Sequence, residues 1–314
     1  MLKRIKAHFT KEHRKKKQLL NKEKKFIRSE KERIRLNVLL LSHSLEKGSG
    51  ISNVKKGYGE EKALKLIENL LVLDNMGEVG SFEYAEGIAV LKSYIKYKHD
   101  HNEDISEIEK RFKELSLDKV NETYKGGYSI IEKQELEQGA SCDFETLVKS
   151  RHSLRHAADE EVKRYEFLKA IEIANHAPSA CNRQPCKVYC SFEKDKNERL
   201  SKLVPGNKSF ADEIPYYCVV TAERDFFPKG ETLQWYLNGG IYVSYLTLAL
   251  HSLGIGSCIF QWPDFYETEE TLRKLAGIKK SEAVISIIGF GKYPEKAKYI
   301  YAQRRDPKQV VNEF

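Results

Sequence analysis

Through the first third of the chain the hydrophobic positions recur at helical spacing; alternating and unbroken apolar runs come only later. In RIRLNVLLLSHSLEKG, which starts at Arg33, Ile34, Val38, Leu41 and Leu45 stand one or two turns apart. That is the pattern of a helix with one buried stripe. Gly48 and Gly50 supply its stop. EEKALKLIENLLVLDNMG, FEYAEGIAVLKSYIKYKH and EDISEIEKRFKELSL repeat the pattern as three further helices. Residues 1–35 carry scattered apolar positions and read as a weakly amphipathic helix. Nothing before residue 118 alternates as a strand does, so 1–118 is expected to be an all-helical extension.

Residues 119–144 are polar and glycine-containing (YKGGYS, EQGASC) and are expected to form a linker. The texture then changes. DFETLVKSRHSLRHA opens a new unit, and KRYEFLKAIEIANHA is an amphipathic helix stopped at Pro178. PCKVYCSFE, PYYCVVTAE, CIFQW and AVISIIGFGKYP read as strands, with helices at NERLSKLV and EETLRKLAGI. Between them lies a long apolar helix ended by Gly254 and Gly256. Residues 145–314 are therefore expected to be an α+β domain, a mixed sheet flanked by helices. The 233–253 helix is too apolar all round for a half-exposed surface, which predicts a homodimer.

Charge and cysteine usage refine the picture. The chain of 314 residues carries a formal net charge of +8. Residues 1–35 hold fifteen Lys/Arg against four Asp/Glu, so the remainder is slightly acidic. This basic arm fits a solvated helix, an anionic surface or partner, or nucleic acid, and it lacks zinc or helix-turn-helix spacing. No apolar run reaches the length of a membrane span, and the basic N-terminus lacks a secretory apolar region. Six cysteines form no CxxC, which favours reduced, mostly buried thiols in a cytoplasmic protein.

Four segments carry chemistry. SRHSLR places Arg151 and Arg155 four apart with Ser153 between them, on a turn or first helical turn. Guanidinium forks keep their protons and suit a phosphate dianion, and His152 adds a donor. In PSACNRQP, Ser179 and Asn182 sit on a polar loop where an amide can both donate and accept. LALHSLGIGSCIFQW brings glycines that permit close backbone approach, followed by Gln261 and Trp262. IIGFGKYP leads to Arg304 and Arg305. Taken singly, each fits an ordinary turn, cap or basic tail.

Their order and spacing together resemble the nitroreductase family of FMN enzymes, over about residues 145–314. The resemblance implies that Arg151, His152, Ser153 and Arg155 bind the FMN phosphate and ribityl end, with Arg304 and Arg305 completing the phosphate site. It implies flavin contacts from Ser179 and Asn182, across a dimer interface, and from Gln261 and Trp262. It implies FMN as cofactor, NAD(P)H as electron donor, and ping-pong hydride transfer through flavin N5 to a small-molecule acceptor. The alternative is a flavin-binding scaffold or sensor without turnover. Cys186 stands where bulk is common after QP, and Asn238 where an acid is common. The adjoining Gly239-Gly240 pair costs a helix about 1–2 kcal/mol against alanine. LLLSHSLEKGSGI also resembles a segment of family members with helical extensions, of the kind found near surface-polysaccharide loci. His43, Glu46 and Lys47 share one helical face there, as candidates to line a substrate cleft.

Overall fold

The computed structural model describes residues 30–51, 54–120, 124–140, 142–228, 230–262 and 268–314. Most of the basic arm, and the role expected for it, lies outside the described residues. The chain forms two compact units, and neither is continuous in sequence. One takes in residues up to Leu45, Gly59–Lys125 and Gln303–Phe314; the other takes in Glu46–Tyr58 and Gly126–Ala302.

The first unit is helical among its described residues, as the periodicity predicts. It comprises most of α1 (Glu30–Ser49), then α2 (Glu60–Asn75), α3 (Phe82–Asp100) and α4 (Ser106–Phe112). In α2, Ala63, Leu66, Ile67, Leu70 and Leu73 are buried at three- and four-residue spacing. Ser81 caps α3 by accepting from the Tyr84 N–H. An ion-pair chain runs from Lys31 through Glu78 and Arg35 to Glu83.

The second unit holds the sheets. The stretch expected as a linker carries β1 (Tyr128–Glu132) and α5 (Lys133–Ala140). β1 pairs antiparallel with β6 (Lys296–Ile300), Tyr128 opposite Ile300. A five-residue strand whose partner lies so far along the chain leaves little local signal, which is why the linker expectation fails. The main sheet runs in the order β2 (Cys186–Cys190), β3 (Tyr216–Glu223), β5 (Glu282–Lys292), β4 (Ile255–Gln261), with every neighbour antiparallel. A parallel element enters through one isolated bridge, Ser153 to Ser257.

Strand alternation divides the core into two layers. Tyr217, Val219, Phe260 and Ile287 face one layer with Leu154, Leu200 and Leu272. Cys218, Val220, Ile288 and Phe290 face the other. There they meet Phe167 and Ala170 of α7 (Arg164–Ala174) and Tyr242, Leu246 and Leu250 of α9 (Gln234–Ser252). α6 (Phe144–Ser150), α8 (Lys194–Ser201) and α10 (Glu269–Ala276) complete the unit.

Candidate functional site

Residues 151–154 of the SRHSLR run are extended and a bend follows at Arg155, where a turn or first helical turn was expected. α6 stops at Ser150, and Arg151 follows at φ −71, ψ 120. Leu154 N–H donates to the Ser257 carbonyl at 2.9 Å, beside the Ser153–Ser257 bridge. The run is thus laid along the outer side of β4. In extended backbone, positions i, i+2 and i+4 point the same way. Arg151 and Ser153 therefore point the same way by strand geometry, and Arg155 follows at the bend that ends the run.

The polar atoms at this face are incompletely paired. Arg155 is buried, and its Nη1 reaches the Ser153 carbonyl only at 3.5 Å. The Arg155 Nε and the Ser257 Oγ are both buried without a hydrogen-bond partner. Two unanswered donors of this kind cost about 1–3 kcal/mol each unless an acceptor arrives. Next to Ser257, burial pushes the Cys258 thiol up, opposed by the positive charges of Arg155, Arg151 and Lys47 and by a hydrogen bond with Ser153. Lys47 thus joins the cationic group around Cys258, a role that sequence spacing did not reveal. His152 lies 5.2 Å from the Tyr299 ring.

Behind the run sits His251, near the C-terminus of α9. Its Nε2 lies 2.8 Å from Ser150 Oγ and its Nδ1 2.7 Å from Tyr293 OH. Burial, then the charges of Arg151 and His152, lower the His251 pKa to about 4, so it is neutral at physiological pH.

The PSACNRQP loop carries backbone strain. Cys181, Asn182 and Gln184 all have φ near +50°. Asparagine tolerates that region, but the other two residues cost about 1–2 kcal/mol each. The loop is held from several sides. Ser179 Oγ accepts from the Gln184 N–H at 3.0 Å, Asn238 Oδ1 accepts from the Ala180 N–H at 2.8 Å, and Arg183 pairs with Glu231. The Ser179 hydroxyl is therefore engaged inside its own loop, while Asn182 is exposed. Asn238, noted in the sequence only as a departure from an acid, is the anchor. Gln261 is exposed at the end of β4, and Trp262 is buried just beyond it.

Two further groups of expected residues lie wholly or partly in the helical unit. Arg304 and Arg305 belong to the helical unit. Arg305 pairs there with Glu83 at 2.5 Å and lies over the Phe82 ring. The His43, Glu46, Lys47 trio is divided. His43 is an exposed residue of the helical unit. Glu46 is buried in the other unit, where its Oε1 accepts from the Gly127 N–H at 3.1 Å. Through that bond the Glu46 carboxylate braces the Gly127 backbone. Lys47 Nζ donates to the Gly206 carbonyl at 3.0 Å.

Comparison with known proteins gives a consistent result over the C-terminal half. The sequence profile of the nitroreductase family matches residues 148–214 and 191–292. A protein of Archaeoglobus fulgidus named as an NADH dehydrogenase/NAD(P)H nitroreductase is 26% identical over 174 residues, 53% of this chain and 95% of its own length. An iodotyrosine deiodinase of Thermotoga neapolitana is 28% identical over 177 residues, 49% of this chain and 90% of its own. Among solved structures, an FMN-dependent nitroreductase from Clostridium difficile aligns with 26% identity and a TM-score of 0.45, covering 54% of this chain and 98% of that one.

Proposed function

From the match of residues 148–292 to the nitroreductase family, we propose that the chain is an FMN-dependent oxidoreductase that uses NAD(P)H to reduce a small-molecule acceptor. The observation that carries the proposal is the Arg151–Arg155 run lying against Ser257. It gathers two guanidinium groups and the Ser153 hydroxyl around Cys258, beside Ser257, with Arg155 Nε and Ser257 Oγ buried and unpartnered. A phosphate monoester supplies acceptor oxygens for both orphan donors and negative charge for the arginines. The residues present therefore fit the phosphate end of FMN.

When bound, the flavin supplies the hydride chemistry between donor and acceptor. The chain's own part is to bind and orient. Arg151, Ser153, Arg155 and Ser257 hold the phosphate, and Lys47 adds positive charge beside them. The strained 181–184 loop presents backbone and amide groups in a conformation that Asn238 and Glu231 maintain, and Asn182 and Gln261 contribute exposed amides. The Archaeoglobus relative's name supports a nicotinamide donor. A homodimer with the cofactor at its interface is part of the same proposal. Leu237 on α9 and Leu168 and Tyr165 on α7 support it, since all three are large apolar side chains left exposed.

Purified protein is expected to be yellow, or to become so on FMN addition. NADH or NADPH should bleach it, and a quinone or nitroaromatic should restore the colour. Arg155→Met should weaken FMN roughly 10- to 100-fold, the worth of a charge-assisted bond. A wild-type protein that stays colourless with FMN sinks the proposal.

A further inference from the structure

Ser150 is the last residue of α6, and the next residue is Arg151. Its hydroxyl is gripped from two directions. On one side, a Cβ on Gly139 of α5 would stand 2.4 Å from the Ser150 Cβ, so only glycine permits this approach. On the other side is His251 Nε2 at 2.8 Å. The proton directions follow from what each group offers. The Ser150 O–H points to the Leu147 carbonyl at 3.3 Å, one of the carbonyls left over at a helix C-terminus. Ser150 Oγ then accepts from the His251 Nε2–H, and His251 Nδ1 accepts from the Tyr293 O–H at 2.7 Å. Every polar group in this chain is satisfied by one tautomer of a neutral imidazole.

The far end of the chain is equally fixed. Tyr293 is buried, just past the end of β5. Its ring packs on Gly256, where a Cβ would meet it at 2.7 Å and the Leu154 side chain at 2.9 Å. Gly256 precedes Ser257, and Leu154 lies between Ser153 and Arg155. The same tyrosine that holds His251 thus packs beside the strand on which the SRHSLR run is laid.

We propose that His251 is a positioning residue for the phosphate cradle: through Ser150 it sets where the chain leaves α6, and so where Arg151 stands opposite Arg155 and Ser257. The proposal rests on the FMN reading given above, but it concerns only the phosphate end of that ligand. Its signature is selective. A defect in the cradle weakens FMN and spares riboflavin, which has the same ring and no phosphate.

The test compares wild type, His251→Gln and Tyr293→Phe. Affinities for FMN and riboflavin are read by flavin fluorescence, and the thermal shift produced by inorganic phosphate is measured in parallel. Both variants are expected to bind FMN about ten-fold more weakly and riboflavin within two-fold of wild type, and to lose most of the phosphate-induced shift. Unchanged FMN affinity overturns the proposal, as does an equal loss for both flavins, which marks a general packing defect. If wild type binds neither flavin, the FMN reading falls. The phosphate shift then decides the positioning role alone: a shift retained in both variants, or absent from wild type, refutes it. Should His251→Gln fail to fold, Tyr293→Phe keeps ring and volume and carries the same readouts.

Discussion

Replacing Ser257 by alanine should move two measurable quantities in opposite directions. The residue is 2% exposed, and its Oγ has no hydrogen-bond partner. A buried hydroxyl in that condition costs about 1–3 kcal/mol. Alanine removes the oxygen and leaves the backbone bridge to Ser153 in place, so the flavin-free protein should gain about 1 kcal/mol. For a unit of this size that corresponds to a rise in Tm of about 2–4 °C. With FMN bound, the same hydroxyl donates to a charged phosphate, a bond worth about 1.5–3 kcal/mol. Its loss should weaken FMN roughly 10- to 100-fold and leave riboflavin nearly unchanged. The assay is a thermal melt of flavin-free protein beside a fluorescence titration with each flavin. A lower Tm together with unchanged FMN affinity would refute the reasoning, because it would place the hydroxyl in a bond within the protein.

Three further outcomes follow from local geometry. The Gly239-Gly240 pair should split: a Cβ on Gly239 would stand 2.5 Å from the Ile285 side chain, while one on Gly240 meets nothing within 4 Å. Gly239→Ala should destabilise by about 1–3 kcal/mol through overpacking, and Gly240→Ala should stabilise by about 0.5–1 kcal/mol, both read by urea denaturation. His251 has a folded pKa lowered to about 4, below its unfolded value near 6.5, with Arg151, His152 and Tyr293 as its facing groups. The unfolded state therefore binds the extra proton first. This contribution to stability is intact above pH about 6.5 and lost as pH falls towards 4, by at most about 3 kcal/mol, and His251→Gln should flatten that slope. Lys47→Met should weaken FMN several-fold in low salt and by less at high ionic strength; a loss independent of salt would remove Lys47 from the electrostatics of the site.

The parts of the fold legible in the sequence are those with local signals. Helical periodicity in residues 33–118 and the apolar strands of the main sheet leave their mark within ten residues of chain. β1 and β6 do not: each is five residues long and depends on the other for its pairing. The site shows the same division. Arg151, Ser153 and Arg155 could be named from residue type and spacing. Their gathering around Cys258 could not, because it depends on the bridge to Ser257, about a hundred residues away. Asn238 and His251 were visible as letters inside motifs, yet their work is defined by the backbone N–H and hydroxyl they meet. Arg305 could likewise be read only as a charge: its pairing with Glu83, more than two hundred residues earlier, left no mark in the sequence.

The interleaving of the two units bears on how the protein is made. Ile51 belongs to the core of the sheet-containing unit, and Glu46 braces Gly127 within it. Residues 46–58 therefore emerge from the ribosome well before the strands they pack with. The helical unit waits as well, since Arg305 is the partner of Glu83. Neither unit can reach its final form until synthesis has passed residue 305. A nascent chain of this design exposes α2 and α3 without their last partner for most of its translation, and its folding is concentrated at the end. Cutting at residue 145 to isolate the oxidoreductase half would remove both β1 and the 46–58 segment, and such a fragment should aggregate during expression rather than fold.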